Sequence, residues 1–189
     1  MPTRTKFSLS TKSTPISHKL LPIENLYQVF AKYRLRPDIE ACPCCVTESD
    51  KERLQKKKLK ELTVDDLGKY VFKAVTTWGQ EYDFKHFLPR ILELLNDFGS
   101  VRYMVFIKLH SLEWQTWPAQ EKDAIVAYLE SILESMRYEH SQRPDSTLTE
   151  GMSLETYDLE IDIEEISDFL NNKMDIEDIS EDLLDNESV

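Results

Sequence analysis

Three cysteines stand within four positions, Cys42-Pro43-Cys44-Cys45, and they are all the cysteines of the chain. A thiolate is both a soft metal ligand and a nucleophile, so this cluster is the first place to look for chemistry. Three such sulfurs can fill three corners of a zinc tetrahedron, with a distant histidine as the fourth. His86 is the best-placed candidate, near an expected helix start beside Asp83, and His110 and His140 stand behind it. The spacing departs from paired C-x2-C units and from C-x2-C with H-x3-H, the strong zinc patterns. A C-x-x-C redox motif is also absent. The competing use is packing, in which small side chains anchor a loop against the core. At this point a zinc site on Cys42, Cys44, Cys45 and His86 and a purely structural loop both stay open.

Other catalytic patterns are missing. There is no G-x-S-x-G elbow and no H-E-x-x-H, the arrangements that present a serine nucleophile or a zinc-bound water. Cys45 with His86 can be paired on paper as nucleophile and base, but no local signature supports it. The carboxylate pairs Asp65-Asp66 and Glu164-Glu165 suit helix caps and solvated faces. Trp114 and Trp117 lie three apart at a helix junction and serve either as interhelical packing or, if exposed, as a protein-binding anchor. The densest constellation is Asp83-Phe84-Lys85-His86-Phe87-Leu88-Pro89-Arg90. Within it Asp83 and Arg90 are candidate partner-binding residues, Arg90 being in reach of Asp83, Glu93 and Asp97.

These residues need elements to hold them, and the apolar spacing is helical throughout. Leu26, Val29, Phe30 and Tyr33 share one face of a helix that Pro22 opens and Pro37 ends. Ser49 or Asp50 caps a short helix over 51–58. Thr63 and Asp66 form a capping-box variant at the head of a helix over 64–77, with Gly79 as its left-handed stop. Asp83 reads as the next N-cap, ahead of a stripe of Phe84, Phe87, Leu88, Ile91, Leu92 and Leu95 that Pro89 kinks or restarts. Residues 101–112 also suit a buried strand, but with no second strand to pair they read as a helix capped by Ser100. Trp117-Pro118 starts a long helix to about residue 138. Beyond a polar linker over 141–151, Ile163, Ile166, Phe169 and Leu170, then Ile176, Ile179, Leu183 and Leu184, suit two short acidic amphipathic helices. The expected fold is all-α: antiparallel helical pairs stacked in a HEAT-like layer, although no sequence repeat is visible. The expected organisation is a disordered tail over 1–20, a helical core over 21–140, and an acidic linker with C-terminal helices over 141–189.

Composition narrows the function classes. Of the 189 residues, 41% are hydrophobic, enough for a core, and only 4 are Gly, too few for a Rossmann or P-loop architecture. No apolar run reaches the roughly 18–20 residues that span a bilayer, so no membrane association is expected. The net charge of -12 hides a gradient: +7 over 1–60, -5 over 61–140 and -14 over 141–189. An acidic chain makes a poor nucleic-acid binder, because phosphate contacts need clustered Lys and Arg. It makes a better partner for a basic protein. The clustered, odd set of thiols suits a reducing compartment, and residues 1–20 lack the apolar core of a secretory signal, so a cytoplasmic location is expected.

Several segments together carry a resemblance: the Cys-Pro-Cys-Cys run, Leu62-Thr63-x-x-Asp66-Leu67-x-x-Tyr70, Thr77-Trp78-Gly79-x-x-x-Asp83-Phe84-x-His86-Phe87-Leu88-Pro89-Arg90, and Trp114-x-x-Trp117-Pro118-x-x-Glu121. Over about residues 40–140 the chain resembles a small family of uncharacterised bacterial proteins. The resemblance implies a bacterial cytosolic origin and no particular activity. The expectation is a non-catalytic helical protein-binding module, in one version immunity- or antitoxin-like, needing no cofactor. The alternative is a zinc-binding protein using the cysteine cluster.

Overall fold

The computed structural model describes residues 16–142 and 163–171. It is mainly helical. In chain order the helices are α1 Ile16–Phe30, α2 Glu48–Gln55, α3 Val64–Lys73, α4 Glu81–Glu93, α5 Arg102–Ser111 and α6 Ala119–Gln142. A further helix, α7, covers 163–170. Three 3-10 segments join them, Leu59–Glu61, Leu95–Val101 and Trp114–Thr116. The all-α reading therefore holds, and 101–112 is helix rather than strand. Of the expected disordered tail over 1–20, residues 16–20 instead fold as the start of α1; residues 1–15, most of the polar linker and the second acidic helix near Ile176 to Leu184 lie outside the described residues.

The long helices α1 and α6 form the most extensive pairing, and α1 also packs on α4. Their apolar stripes explain this. Leu26 and Phe30 of α1, Phe84, Phe87, Leu88, Ile91 and Leu92 of α4, and Ile125, Leu129 and Ile132 of α6 are all buried. Burying side chains of this size stabilises by about 1.5–3 kcal/mol each. Around them sits a shell of aromatic edges, with the Phe30 and Trp117 rings 6.4 Å apart and those of Tyr70 and Phe87 4.7 Å apart.

Helix ends differ from the sequence reading in instructive places. Helix α1 begins six residues ahead of Pro22 and passes through it. A proline costs that helix one hydrogen bond at the carbonyl four residues earlier, and burial of Leu26 and Phe30 beyond it outweighs the loss. Helix α2 starts at Glu48, because Thr47 is its cap: the Asp50 amide donates to the Thr47 hydroxyl, and Thr47 N–H donates back to the Asp50 carboxylate. Thr63 and Asp66 repeat that arrangement at α3, as their spacing predicts. Helix α3 stops at Lys73, four residues short of the expected end. The β-branched run Val75-Thr76-Thr77 follows, which crowds a helix, and Val75 turns left-handed at φ 58°. At α4 the cap is Gln80. Asp83 occupies the third helical position and reaches back, accepting from Gln80 N–H at 2.8 Å. Pro89 lies inside α4 without ending it. Helix α5 follows a 3-10 turn and has no side-chain cap.

Helix α7 docks on the core. Ile166 and Phe169 are buried, and the Phe169 ring stacks on Phe106 at 4.6 Å and on Trp114 at 5.2 Å. Arg102 Nε donates to the Glu165 carboxylate at 2.9 Å. The amphipathic spacing read from Ile163, Ile166, Phe169 and Leu170 is thus a core-facing stripe.

Candidate metal centre

The cysteine segment is a tight turn between α1 and α2, and it is pinned rather than loose. Cys42 N–H donates to the Thr77 carbonyl at 2.8 Å, and Gly79 N–H donates to the Glu40 carbonyl at 2.7 Å. Between these bonds Ala41 and Trp78 form an antiparallel bridge. The other side is closed within the turn, where Cys45 N–H and Val46 N–H both donate to the Cys42 carbonyl at 3.0 Å. Buried Ile39 and Val46 anchor its flanks in the core. Gly79 is needed here. It sits at φ 72°, and a Cβ on it would lie 3.0 Å from Asp83 Oδ2 and 3.1 Å from Ile39 Cγ2.

This frame brings the three sulfurs together. All lie within 4.8 Å of one another. Cys42 Sγ is 2.6 Å from Cys44 Sγ, and Cys44 Sγ is 3.5 Å from Cys45 Sγ. Cys44 is exposed, and Cys42 and Cys45 are half-buried. The contact splits the thiols: a hydrogen bond from Cys44 lowers the Cys42 pKa, while the same bond and one to Cys45 push Cys44 up to about 11. Thiolates bound to zinc at about 2.3 Å in a tetrahedron stand roughly 3.8 Å apart. The Cys44–Cys45 separation is close to that size and the Cys42–Cys44 separation is about 1.2 Å shorter, so the donor set fits a soft metal ion once the Cys42 and Cys44 side chains turn apart. A cavity of about 470 Å³ adjoins the turn at Ala41; Asp38, Glu40, Glu48 and Glu52 outnumber Lys51, which pairs with Glu48, so its lining is net acidic.

His86 is not part of the cluster. Among the described residues no histidine and no carboxylate joins the three sulfurs as a fourth ligand. The reason is local. His86 is on α4 and its Nδ1 lies 2.8 Å from the Tyr33 carbonyl oxygen at the end of α1. There it lines a separate apolar cleft with Tyr27, Phe30, Leu35 and Pro89. Burial lowers its pKa, so the ring is neutral and donates from Nδ1. His110 and His140 also lie outside the cluster.

No family model, curated protein or solved structure matches the chain.

The residues singled out for partner binding have other partners. Trp114 and Trp117 are buried, so they are packing residues and offer no exposed anchor. Trp114 stacks on Phe169, and Trp117 lies under the Lys85 ammonium at 3.8 Å. Asp83 is buried, capping α4 and holding the Arg36 guanidinium through Nε at 2.7 Å and through Nη2. Arg90 Nε donates to the Leu62 carbonyl at 2.7 Å and Nη1 pairs with Glu93 at 2.6 Å. Arg90 does not meet Asp83.

Sequence spacing did not reveal two arrangements. The first is the Thr77–Gly79 strap that carries the thiol turn, for which Gly79 was the one visible signal. The second is a buried charge network at the α1–α4–α6 junction. Glu121, fully buried, takes Lys32 at 2.6 Å, Lys85 at 3.1 Å and the Tyr33 hydroxyl at 2.7 Å. Its burial alone would raise its pKa, but these three partners hold it below the ordinary glutamate value. Losing one of these partners would leave an uncompensated buried charge.

Among the described residues no helix is long and apolar enough to cross a membrane.

Proposed function

We propose that the protein is a helical scaffold that presents a three-thiolate site for a soft divalent or monovalent metal ion, with zinc as the reference case. One observation carries the reading: Cys42, Cys44 and Cys45 place their sulfurs within 4.8 Å of one another on a turn pinned to the core by the Thr77 and Glu40 bonds. Thiolates select zinc, copper(I) and related ions over magnesium or calcium. Three protein donors leave a fourth zinc position for water or an outside ligand, the open form that Lewis-acid and transfer sites share. In this chain the cysteines bind the ion, the strap fixes their spacing, and the adjoining carboxylates bias the local field toward cations.

The test is metal content per chain on untagged protein, purified reduced and without chelator. About one zinc or copper per chain, lost in Cys44→Ser while the helical signal stays, supports the reading. Three titratable thiols and no bound metal, even after zinc titration, refute it.

A second reading, a helical module for a basic protein partner of the immunity or antitoxin kind in a bacterial cytosol, is favoured by charge alone. Residues 141–189 carry -14, and complementary fields speed association and set partner choice. A specific partner recovered with the full chain, whose binding weakens steeply with salt, supports it. Recovery of none from co-expression with genomic neighbours removes it.

A further inference from the structure

We propose that the thiol turn is also a redox switch, in which oxidation joins Cys42 Sγ to Cys44 Sγ and so expels the metal. The inference rests on the metal reading of the same site and adds its regulation.

The geometry selects the pair. The Cys42 and Cys44 sulfurs are in direct contact at 2.6 Å, nearer than the Cys44 and Cys45 pair, so side-chain torsion alone brings them to the about 2.05 Å of a disulfide bond. Cys44 and Cys45 are 3.5 Å apart and share a peptide bond, whose planarity resists the small ring that joining them would close. The Cys42 backbone is held from both sides, by Thr77 through its N–H and by Cys45 and Val46 through its carbonyl. Closure therefore falls on side-chain torsions and leaves the strap in place. Cys44 is exposed, so a small oxidant reaches it directly.

With a hydroperoxide as oxidant the chemistry balances. In the zinc-loaded chain the cysteines are thiolates. The exposed Cys44 thiolate attacks the peroxide, the O–O bond breaks, and hydroxide or alkoxide leaves and takes a proton from solvent. That leaves a sulfenic acid. The Cys42 thiolate then attacks the Cys44 sulfur, the S–O bond breaks, and hydroxide leaves and is likewise protonated by solvent. Two thiolates lose two electrons and the peroxide gains two; in the metal-free chain the two protons come from the thiols. Of three donors only Cys45 remains, and a single thiolate does not hold zinc in a site otherwise open to water.

The experiment uses the full chain loaded with zinc, treated with equimolar hydrogen peroxide beside a chromogenic zinc indicator. Free thiols are titrated and disulfides mapped by peptide mass spectrometry, in parallel on metal-free protein. The expected result is a fall in free thiols from three to one, a Cys42–Cys44 link, zinc release in step with it, and reversal by dithiothreitol. Cys45→Ser is expected to form the same link, and Cys44→Ser to form none. Sulfinic acid, a Cys44–Cys45 link, an intermolecular disulfide or unchanged thiols overturns the switch while zinc binding by the reduced chain still stands. If the reduced chain takes no zinc, the metal reading fails, and the thiol count of the metal-free protein decides the disulfide separately.

Discussion

Phe169→Ala tests whether α7 belongs to the fold. The ring is about 5% exposed, stacked between Phe106 at 4.6 Å and Trp114 at 5.2 Å. Deleting a core phenylalanine costs about 3–5 kcal/mol, and two aromatic contacts of this kind place the loss in the upper half of that range. Helix α7 is otherwise held by fully buried Ile166, by the partly buried Ile163 and Leu170, and by the Arg102–Glu165 pair. A helix of eight residues is marginal by itself, since isolated helices need about 12–15 residues. The loss therefore exceeds what docking of α7 can absorb, and the helix releases without the core unfolding. Global stability falls by less than the full 3–5 kcal/mol, because the chain escapes through the released state. Hydrogen exchange read by mass spectrometry should show 163–171 losing all protection while α1 and α6 keep theirs. Tryptophan emission should shift to the red as Trp114 loses its cover. Retained protection over 163–171 would refute the docking argument. Cooperative loss of protection in α1 and α6 would show instead that α7 is integral to the core.

Three further expectations concern the core and the helix junctions. Tyr70 is buried and its hydroxyl has no hydrogen-bond partner among the described residues, so Tyr70→Phe should stabilise by about 1 kcal/mol in chemical denaturation, and a loss of that size would contradict it. Gly79→Ala meets both a positive φ and the Asp83 and Ile39 contacts; it should destabilise by about 1–3 kcal/mol and weaken zinc binding by loosening the strap, whereas wild-type affinity and midpoint would show that the strap does not set the site. His86 has a folded-state pKa held below its ordinary 6.5 by burial, against the opposing Tyr33 bond and Asp83 charge. Its contribution is therefore intact above about pH 6.5 and is lost as pH falls through the lower folded value. The difference in stability between wild type and His86→Asn, followed from pH 8 to 4.5, should change across that window, and a flat difference would contradict the buried neutral ring.

Much of the fold was legible because helical stripes are a local signal. Thr63 with Asp66, and Leu67, Tyr70 and Val71 behind them, specify α3 within about ten residues. The misread ends are places where non-local contacts decide. Nothing near Pro22 says that α1 continues through it. The end of α3 at Lys73 depends on Trp78 folding back to bridge Ala74, and that contact reaches on to Ala41. The site divides the same way. The three sulfurs meet because they are sequence neighbours in one turn, so their cluster was visible in the sequence. A fourth ligand at His86 depends on a three-dimensional distance that spacing does not carry, and the bond to the Tyr33 carbonyl shows where its ring is used. Trp114 and Trp117 likewise could not be assigned to surface or interior from a spacing of three, because Phe169, which covers Trp114, comes more than fifty residues later.

The pairing of α1 with α6 has a consequence for how the chain is made. A ribosome delivers α1 first, with Leu26 and Phe30 facing outward until their partners exist. The first residue of α6 follows the last of α1 by almost ninety positions, which at about 5–20 residues per second is roughly 5–20 s of synthesis. During that interval the nascent chain can form the capped helices α2 and α3 and the thiol turn between α1 and α2, but it cannot close its core. The thiols thus emerge and meet metal or oxidant before the protein has a finished interior, and an interruption of translation ahead of Ala119 leaves a sticky, unsealed fragment for chaperones to hold.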